Sequence, residues 1–368
     1  MELQDQEIIY RMALQQIKGI GVSRAKKLIS TFGSATEVFA HAAKPSKEIE
    51  SIGTFHWNAL KNFKQFNRAE AELKFMKENN IQFLTFDDNN YPSKLKRAAD
   101  APAYLFYKGD NSIHNTRVIS IIGTRACSEY GKQMCEKIIE GLAPYSPLII
   151  SGLAYGIDST VHREAMKNGL HTIGVMATGL DTIYPAQNKK IANQMLEQGG
   201  LLSEYPKGTN PDRENFPSRN RIVAGMCDAV IVIETPKKGG SMITADLAFS
   251  YNRDVFCVPG KVGDKRSEGC NFLIKSLRAN LITNAEDVLY NLNWNAELQL
   301  GTPQRKLFVE LTDNEKIVYD CLQNESTMHI DALFLQTELP MSILSTLLLQ
   351  LEMHGMVRSL PGKQYQAV

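Results

Sequence analysis

The chain has 368 residues, which is too long for one small core and predicts two or three domains. Its composition, 43% hydrophobic and 22% charged, is typical of a globular protein rather than of a disordered or fibrous one. The net charge is only +1, from 41 basic and 40 acidic residues, which excludes a protein that attracts polyanions with its whole surface. Any site for a polyanion must therefore be built locally.

Cysteine usage and the N-terminal segment favour the cytoplasm. The six cysteines show no CxxC spacing, and most lie in apolar runs, as expected of free thiols in a reducing compartment. The first residues, MELQDQEIIYRMAL, are acidic and polar, unlike a signal peptide. No apolar run reaches the length of a membrane span. We therefore expect a cytoplasmic protein that does not contact a membrane.

Residues 1–80 are expected to form a small helical domain. Around Gly19-Ile20-Gly21 one helix ends in a tight turn and a second begins, with Ala25 small enough to let the two pack closely. This pattern resembles a helix-hairpin-helix (SAM-like) motif, whose hairpin amides commonly contact DNA phosphates. A weaker second copy runs from Ile49 to Leu60. A helical interaction module that does not bind DNA explains the same residues, since an isolated hairpin is a weak motif.

Residues 81–290 alternate short apolar segments, rich in β-branched residues, with segments of helical periodicity. The predicted strands are 118–122, 148–151, 171–176, 201–203, 229–233 and 255–258. Two earlier short strands, 81–84 and 104–109, are expected to cover an edge of this domain. The alternation is typical of an α/β fold with a Rossmann-like, doubly wound, mostly parallel sheet. Ligands of such sheets gather beyond the carboxyl ends of the strands, so residues there carry the functional information.

The first strand is followed by Gly123-Thr124-Arg125. A dinucleotide-binding fingerprint needs a glycine at position 125, where the backbone approaches pyrophosphate. This residue therefore argues against NAD or FAD, and no cofactor is predicted. An arginine there can grip a phosphate with two N–H groups. A structural ion pair is the alternative role of Arg125.

The turns after the second and third strands carry weaker signals. The segment 151–158, SGLAYGID, is a glycine-rich turn that can form an anion nest and ends in an expected helix-capping aspartate. Asp158 and His162 share a helix face, but a cap and a structural histidine explain them better than catalysis does. Beyond the third strand, Tyr184 can stack on a base and Asn188 can hydrogen-bond one, unless both only shape the loop.

The stretch Phe216-Pro-Ser-Arg-Asn-Arg221 precedes the apolar face of a predicted helix. Its serine, Ser218, is expected to cap that helix. Arg219 and Arg221 then lie near a helix N-terminus, where cations are unfavourable unless an anion binds there. With Arg213 upstream, this stretch predicts an anion site with an aromatic platform.

After the fifth strand, Lys237-Lys238-Gly239-Gly240-Ser241 enters another helix. Glycines, a hydroxyl and a lysine at a helix start are suited to bind phosphate. This is not a P-loop, because the lysines precede the glycines. Anion-binding groups thus follow four predicted strands, and together they are hard to attribute to packing.

The segments GTR, SGLAYGID, GLDTIYPAQN, FPSRNRIVAG and KKGGSMITA occur in this order, and the series resembles the DNA-processing protein A family, DprA or Smf. The resemblance covers essentially the whole central domain. It implies a cytoplasmic protein of natural transformation that binds single-stranded DNA, protects incoming strands and loads the RecA recombinase. It also implies a homodimer formed through the Rossmann-like domain, with no catalytic residue and no metal.

Carried over by position, the family's DNA-contacting residues correspond to Arg125, Arg213, Phe216, Arg219, Arg221 and Lys238. Ser241, Tyr184 and Asn188 complete the predicted site. The family often has a basic residue after the Tyr-Pro pair, where this chain has Ala186, so contacts from that loop depend on Lys189 or Lys190. Cationic grooves with aromatic platforms hold single strands without reading their sequence, which agrees with this set of residues.

Residues 291–310 are expected to form a polar linker, and residues 311–368 a winged helix. Helices are predicted at 314–322, 329–336 and 342–354, followed by a hairpin. The third helix, SILSTLLLQLEMHG, carries almost no positive charge, whereas a helix in the major groove needs cations for the phosphates. This favours a protein-interaction or accessory role over the reading of duplex DNA.

A nucleotide-processing enzyme is the alternative function, because the central fold also resembles the LOG family of lysine-decarboxylase-like phosphoribohydrolases. Their PGGxGTxxE motif supplies a carboxylate, but the corresponding position here is Leu247, and Asp246 is only adjacent. The missing carboxylate makes hydrolysis the weaker hypothesis, so we expect no enzymatic activity. Arg125 also argues against an NAD-dependent oxidoreductase, because the dinucleotide fingerprint needs a glycine at this position.

Overall fold

The structure is a computed structural model that describes residues 3–42, 53–294, 311–323, 327–354, 356–360 and 363–367. The chain divides into two compact units, Met1–Asn295 and Ala296–Val368. Most of the linker expected at 291–310 lies outside the described residues. The finer domain boundaries at residues 80 and 290 stay predictions.

A nine-stranded sheet is the centre of the first unit. Its strands are β1 (Gln82–Thr85), β2 (Tyr104–Gly109), β3 (Val118–Ile122), β4 (Leu148–Ser151), β5 (Thr172–Met176), β6 (Gly199–Ser203), β7 (Ala229–Val232), β8 (Asp254–Cys257) and β9 (Asn280–Leu281). The order is β1-β2-β6-β5-β4-β3-β7-β8-β9. The pairs β1–β2 and β2–β6 are antiparallel, and all other neighbours are parallel. The predicted Rossmann-like, mostly parallel sheet is confirmed.

Five helices form the N-terminal region: α1 (Leu3–Gln16), α2 (Val22–Phe32), α3 (Ala35–Ala42), α4 (Thr54–Lys61) and α5 (Asn67–Glu78). The turn between α1 and α2 is the predicted hairpin. Gly19 there has a φ of 87°, and a Cβ would lie 2.5 Å from the His56 ring, so the turn requires glycine. Ala25 is buried, as close packing of the helices demands. The second hairpin copy, from Ile49, falls partly outside the described residues.

The predicted short strands around Phe83 and Phe106 cover an edge of the parallel strands by extending the sheet, since β2 pairs directly with β6. An apolar cluster joins Met12 of α1 and Leu73 of α5 to Tyr104 of β2. The N-terminal helices therefore pack on the antiparallel edge of the same sheet, because that edge exposes aromatic side chains that must be removed from water.

Helices also cover both faces of the parallel strands: α6 (Glu129–Leu142), α7 (Ile157–Lys167), α8 (Lys189–Met195), α9 (Asn215–Gly225), α10 (Gly240–Ser250), α11 (Glu268–Lys275) and α12 (Ala285–Asn291). On one face Ile149 packs with Ile138 of α6 and Val161 of α7. On the other, Val230 packs with Ile222 of α9. Strands buried on both faces need continuous apolar sequence, which is why these strands were recognisable.

The second unit is a winged helix. Its elements are α13 (Asp313–Gln323), β10 (Met328–His329), α14 (Ile330–Thr337), α15 (Met341–Met353), β11 (Val357–Leu360) and β12 (Gln364–Ala367). The strands lie in the order β10-β12-β11, and Leu333, Leu344 and Leu348 are central to its core. The predicted three helices and hairpin are confirmed. The two-residue strand β10 was too short to show a pattern in the sequence.

Within the described ranges, no single helix has both the length and the apolar composition needed to cross a bilayer. Helices α14 and α15 have this length and composition only when they are taken together, and the pair is bent by 112° at the break between them. Among the same residues, no group of three or more His, Cys, Asp or Glu side chains could hold a metal ion.

Candidate functional site

A cavity of about 390 Å³ lies at the carboxyl edge of the sheet. Its walls are the loops after β3, β4 and β7 and the first turns of α9 and α10. The order of the strands reverses between β3 and β7, and ligands of open α/β sheets bind at such a reversal. The cavity thus lies where the predicted site residues were expected to meet.

Helix α9 begins earlier than the sequence suggested. Its first residue is Asn215 and Glu214 holds the N-cap position, so the expectation that Ser218 caps the helix is wrong. Ser218 lies inside the first turn, where its Oγ donates to the Glu214 carbonyl oxygen at 3.2 Å. Pro217 is tolerated in this turn because the first N–H groups of a helix have no partner within it. The earlier start places Phe216 in the first turn, on the wall of the cavity.

Phe216 is the centre of a small aromatic cluster. The Tyr184 ring lies 5.7 Å from it at an interplanar angle of 61°, and the Arg125 guanidinium lies 5.2 Å from its centroid. Tyr184 is 41% exposed and Phe216 is half-buried. An aromatic face with a cation beside it is the combination that holds single-stranded nucleic acid. The structure brings together three residues that the sequence predicted from three separate loops.

Tyr155 is a further aromatic residue at this edge, which the sequence did not single out. It belongs to the glycine-rich turn after β4 and is 41% exposed. Its hydroxyl donates to Oε1 of Gln187, in the loop that carries Tyr184. It lines a narrow pocket together with Tyr184 and Phe216. An aromatic residue in a glycine-rich turn at a strand end was the available signal.

Three predicted cations, Arg125, Arg213 and Lys238, are exposed and form no ion pair with any residue that the structure describes. Arg125 lines the cavity. Arg213 and Lys238 lie in the segments that lead into α9 and α10, which form two of its walls. Because no described carboxylate pairs with them, their charge is available to an anion.

The first turn of α10 adds neutral donors to the same cavity. Gly239 holds the N-cap position, Ser241 lines the cavity, and the turn contains no acidic residue. The first N–H groups of a helix lack partners within the helix and carry the positive end of its dipole. This arrangement, with Lys238 just before it, is suited to bind a phosphate.

Arg219 is buried, whereas the sequence suggested that its guanidinium is presented to solvent. Only 4% of it is exposed, and Nη1 donates to the carbonyl oxygens of Gly152, at 2.7 Å, and of Val175. Burial lowers the pKa of the guanidinium, and the nearby Asp158 carboxylate opposes that shift. Arg219 lines the cavity, but its Nη1 donor is used within the protein. A direct contact with DNA stays a prediction for this residue.

Arg221 and Asn188 also make their contacts within the protein. Arg221 lines a different cavity on the other side of α9, where it pairs with Glu204 and donates to the carbonyl oxygen of Asp100. Asn188 is buried, and its Nδ2 donates to the Leu153 carbonyl oxygen at 2.8 Å. These two side chains therefore use polar groups for partners within the protein, and a contact with a bound strand stays a prediction for both. The contacts of Asn188 agree with its alternative role of shaping the loop.

Asp158 and His162 serve the structure of α7. Gly156, and not Asp158, holds the N-cap position, while the Asp158 carboxylate accepts from the Ala154 N–H at 3.3 Å. Burial raises the pKa of Asp158. His162 is fully buried, its Nδ1 lies 2.7 Å from Thr172 Oγ1, and burial lowers its pKa to about 3. His162 is therefore neutral near pH 7, and its contacts are those of a structural histidine.

Comparison with known proteins identifies the family of this chain. The sequence model described as DNA recombination-mediator protein A matches residues 82–293, and that of the DprA winged helix domain matches residues 303–363. Protein Smf of Synechocystis is 33% identical over 98% of this chain and 98% of its own length. The DNA processing protein DprA of Streptococcus pneumoniae is 40% identical over 62% of this chain and 80% of its own length.

Two solved structures are similar in sequence and in fold. DNA processing protein A from Streptococcus pneumoniae has a TM-score of 0.64 at 33% identity and covers 77% of this chain and 97% of that chain. The protein of the same name from Helicobacter pylori, whose structure addresses its single-stranded DNA binding mode, has a TM-score of 0.53 at 31% identity. It covers 58% of this chain and 97% of that chain. This chain therefore belongs to the DNA recombination-mediator protein A family, also named DprA or Smf.

Proposed function

We propose that this protein binds single-stranded DNA, without sequence preference, at the cavity beside Phe216. The observation that carries the proposal is the cluster in which the Arg125 guanidinium lies over one face of the Phe216 ring and Tyr184 lies against it. The cluster combines a cation for a phosphate with aromatic faces for bases. Stacking on such faces is worth about 1–3 kcal/mol per base.

The phosphates have donors on two walls of the cavity. Arg125 can bind one phosphate through two N–H groups, and Ser241 with the first N–H groups of α10 can bind another. Arg213 and Lys238, both exposed, extend the positive surface along the path of the strand. Every phosphate that is neutralised releases counterions, so the affinity should fall steeply as the salt concentration rises.

The bases have aromatic faces and few polar partners. Phe216, Tyr184 and Tyr155 line one narrow pocket, and every base offers a π-face to such side chains. Asn188, the side chain expected to read a base edge, donates to the Leu153 carbonyl oxygen instead. Binding should therefore depend on the strand being single, because its bases must be free to stack, and not on its sequence.

The family supports a wider role, which we propose together with the binding site. The protein protects incoming strands during natural transformation, loads the RecA recombinase onto them, and acts in the cytoplasm as a homodimer formed through the Rossmann-like unit. The Helicobacter pylori relative supports the first step, since its structure concerns the binding of single-stranded DNA. The domains proposed for these tasks are 1–80, 81–290 and 311–368, with a linker at 291–310.

We propose no enzymatic activity. Asp246, the carboxylate next to the position that a phosphoribohydrolase needs, pairs with Arg278 at 2.8 Å and does not line the cavity. Leu247 packs against the apolar core. Asp158 is the one carboxylate among the described residues that line the cavity, and a backbone N–H holds it. General acid and base catalysis would need a second titratable group within reach of the substrate.

A titration with fluorescent oligonucleotides at two salt concentrations tests the proposal. We expect oligo(dT) to bind at least about tenfold more tightly than a duplex of equal length, with a log–log salt slope of about −0.7 for each phosphate contacted. Equal affinity for both, or binding that is independent of salt, would contradict the proposal. Release of a free base from a nucleoside monophosphate by the pure protein would instead support the phosphoribohydrolase alternative.

A further inference from the structure

Arg219 bridges two neighbouring strands of the sheet at the point where their pairing ends. Strands β4 and β5 are paired as far as Ser151 and Gly174, and their register ends there. The next residues along the two strands are Gly152 and Val175, and Nη1 of Arg219 donates to both of their carbonyl oxygens. The guanidinium therefore bridges the two chain segments just beyond the last pair of the ladder.

The burial of Arg219 separates it from the exposed cations of the site. It is 4% exposed, its Nε donates to Asn220 Oδ1 at 3.2 Å, and the Asp158 carboxylate provides the compensating charge nearby. If Nη1 turned to a phosphate, the two strand-end carbonyls would lose their partner in a buried place, which is unfavourable. Arg125, in contrast, is exposed and forms no ion pair within the described ranges, so it is free to bind phosphate.

Arg219 follows Phe216 by three residues on α9, so the two side chains are neighbours on one face of the helix. The bonds from Arg219 to the ends of β4 and β5 thus hold the first turn of α9 against the sheet. They also hold the Phe216 ring at its distance of 5.7 Å from Tyr184, which lies in the loop after β5. A change at Arg219 should therefore move the aromatic platform.

We propose that Arg219 is a positioning residue that anchors α9 to the ends of β4 and β5, so that Phe216 presents its ring to the bound strand, and that it does not bind phosphate. This inference rests on the proposed function, the binding of single-stranded DNA at this cavity. It assigns the arginines of the site to different tasks: Arg125 binds phosphate and Arg219 holds the aromatic platform.

The dependence of oligo(dT) affinity on salt separates these tasks, because each phosphate contact contributes about 0.7 to the log–log slope. Arg219→Gln should bind at least about fivefold more weakly with an unchanged slope, since stacking and not a phosphate contact is lost. Arg219→Lys keeps the charge but lacks the planar fork, so it should recover little affinity. The matched variant Arg125→Gln should lower the slope by about 0.7.

Gly152→Ala tests the same anchor while every cation is kept. A Cβ at this position would lie 2.5 Å from Nη2 of Arg219 and 2.8 Å from Oδ2 of Asp158, so it should displace the guanidinium. We expect weaker binding at an unchanged slope. Ile138→Ala, which removes atoms from the core beside α6, controls for lower stability alone. It should bind like the parent at temperatures below its unfolding transition.

A tryptophan introduced by Phe216→Trp reports the platform directly, because stacking of a thymine quenches indole fluorescence. In that background, Arg219→Gln and Gly152→Ala should both reduce the quenching by oligo(dT), and Ile138→Ala should not. The native Trp57 and Trp294 contribute a background that is measured in the parent protein.

A slope lowered by Arg219→Gln as much as by Arg125→Gln would overturn the positioning role and leave the proposed function intact. Parent-like affinity of Gly152→Ala would do the same, and that variant decides the question alone if Arg219→Gln does not fold. Failure of the parent to bind oligo(dT) would overturn the proposed function itself, and the positioning role with it.

Discussion

Two cavities lie on either side of helix α9, and they differ in chemistry more than in size. The smaller, of about 390 Å³, is the proposed DNA site, whose charged lining residues are Arg125, Asp158 and Arg219. The larger, of about 570 Å³, lies between α9 and the N-terminal helices. Its charged lining residues are Arg68, Glu72, Glu204, Glu214 and Arg221.

Carboxylates outnumber cations in the lining of the larger cavity, where Glu72, Glu204 and Glu214 accompany Arg68 and Arg221. Arg221 pairs with Glu204, and the Glu72 carboxylate accepts from the Lys207 N–H at 2.8 Å. Burial raises the pKa of both glutamates, because removal from water disfavours the charged form of each carboxyl group. A chain of phosphates would meet these carboxylates there, whereas at the smaller cavity it meets Arg125 without an acidic partner. An excess of cations over carboxylates, and not volume, therefore marks a site for a polyanion.

The largest expected effect is on stability, at Arg221. The variant Arg221→Gln leaves Glu204 mostly buried without its opposite charge, so the free energy of unfolding should fall by about 3 kcal/mol, measured by urea denaturation. The salt slope of oligo(dT) binding should not change. A lower salt slope, with the free energy of unfolding unchanged, would place Arg221 in the DNA site and contradict the distinction between the two cavities. Glu204→Gln should cost less, because burial already disfavours its charged form.

Acid should change the stability of the protein in opposite directions at two buried groups, His162 and Glu72. His162, on the helix that also carries Asp158, has a pKa of about 3 when folded, against about 6.5 when unfolded. Below pH 6.5 the unfolded chain binds a proton that the folded protein does not, so stability falls as the pH falls from 6.5 towards 3. At pH 5 this loss is about 2 kcal/mol. Melting curves between pH 7 and 5 should show it, and His162→Gln should remove it.

Glu72, in the larger cavity, should change stability with pH in the opposite direction. Because burial raises its pKa, the folded state binds the proton more readily than the unfolded chain does. Stability therefore rises as the pH falls through this raised pKa towards the ordinary value of a glutamate. The variant Glu72→Gln should therefore steepen the loss of stability in acid. A shallower loss in this variant would show that the carboxylate is held charged, and that its cavity resembles the smaller one more than we infer.

The aromatic platform should account for the next effect. Phe216→Ala should weaken oligo(dT) binding by about 1.5 kcal/mol at an unchanged salt slope, in the lower part of the range for base stacking because Tyr184 already covers part of the ring. Fluorescence anisotropy measures both quantities. Phe249→Ala, at an equally aromatic but 52% exposed position on α10 that does not line the cavity, is the control and should bind like the parent. Equal losses in both variants would show that the effect is not specific to the cavity.

The smallest expected change in affinity distinguishes the cations of the two cavities. Arg125→Gln should weaken binding about tenfold, or about 1.4 kcal/mol, and lower the salt slope by about 0.7. Arg68→Gln removes an exposed cation from the larger cavity and should leave affinity and slope unchanged. If the Arg68 variant lost as much as the Arg125 variant, the bound strand would extend across α9 into the larger cavity.

Much of the fold was predictable because its local signals agree with one another. Apolar runs such as 118–122 and 229–233 have few alternatives to buried parallel strands, and they are β3 and β7. The start of α9 was not predictable to within three residues, since Ser218 has a strong local preference for capping. Tertiary contacts overrode that preference: the Tyr205 hydroxyl donates to the Asn215 carbonyl oxygen at 3.1 Å, and the helix begins there.

By itself, the sequence determined the order of the strands and helices and the cluster of cations and aromatic residues that follows them, because periodicity and residue type are local properties. Only the tertiary structure decided which cations stay free. Arg125, Arg219 and Arg221 are equivalent by residue type, yet one lies over Phe216, one bridges the ends of β4 and β5, and one pairs with Glu204. Their partners come from distant parts of the chain, so no local pattern could have separated their roles.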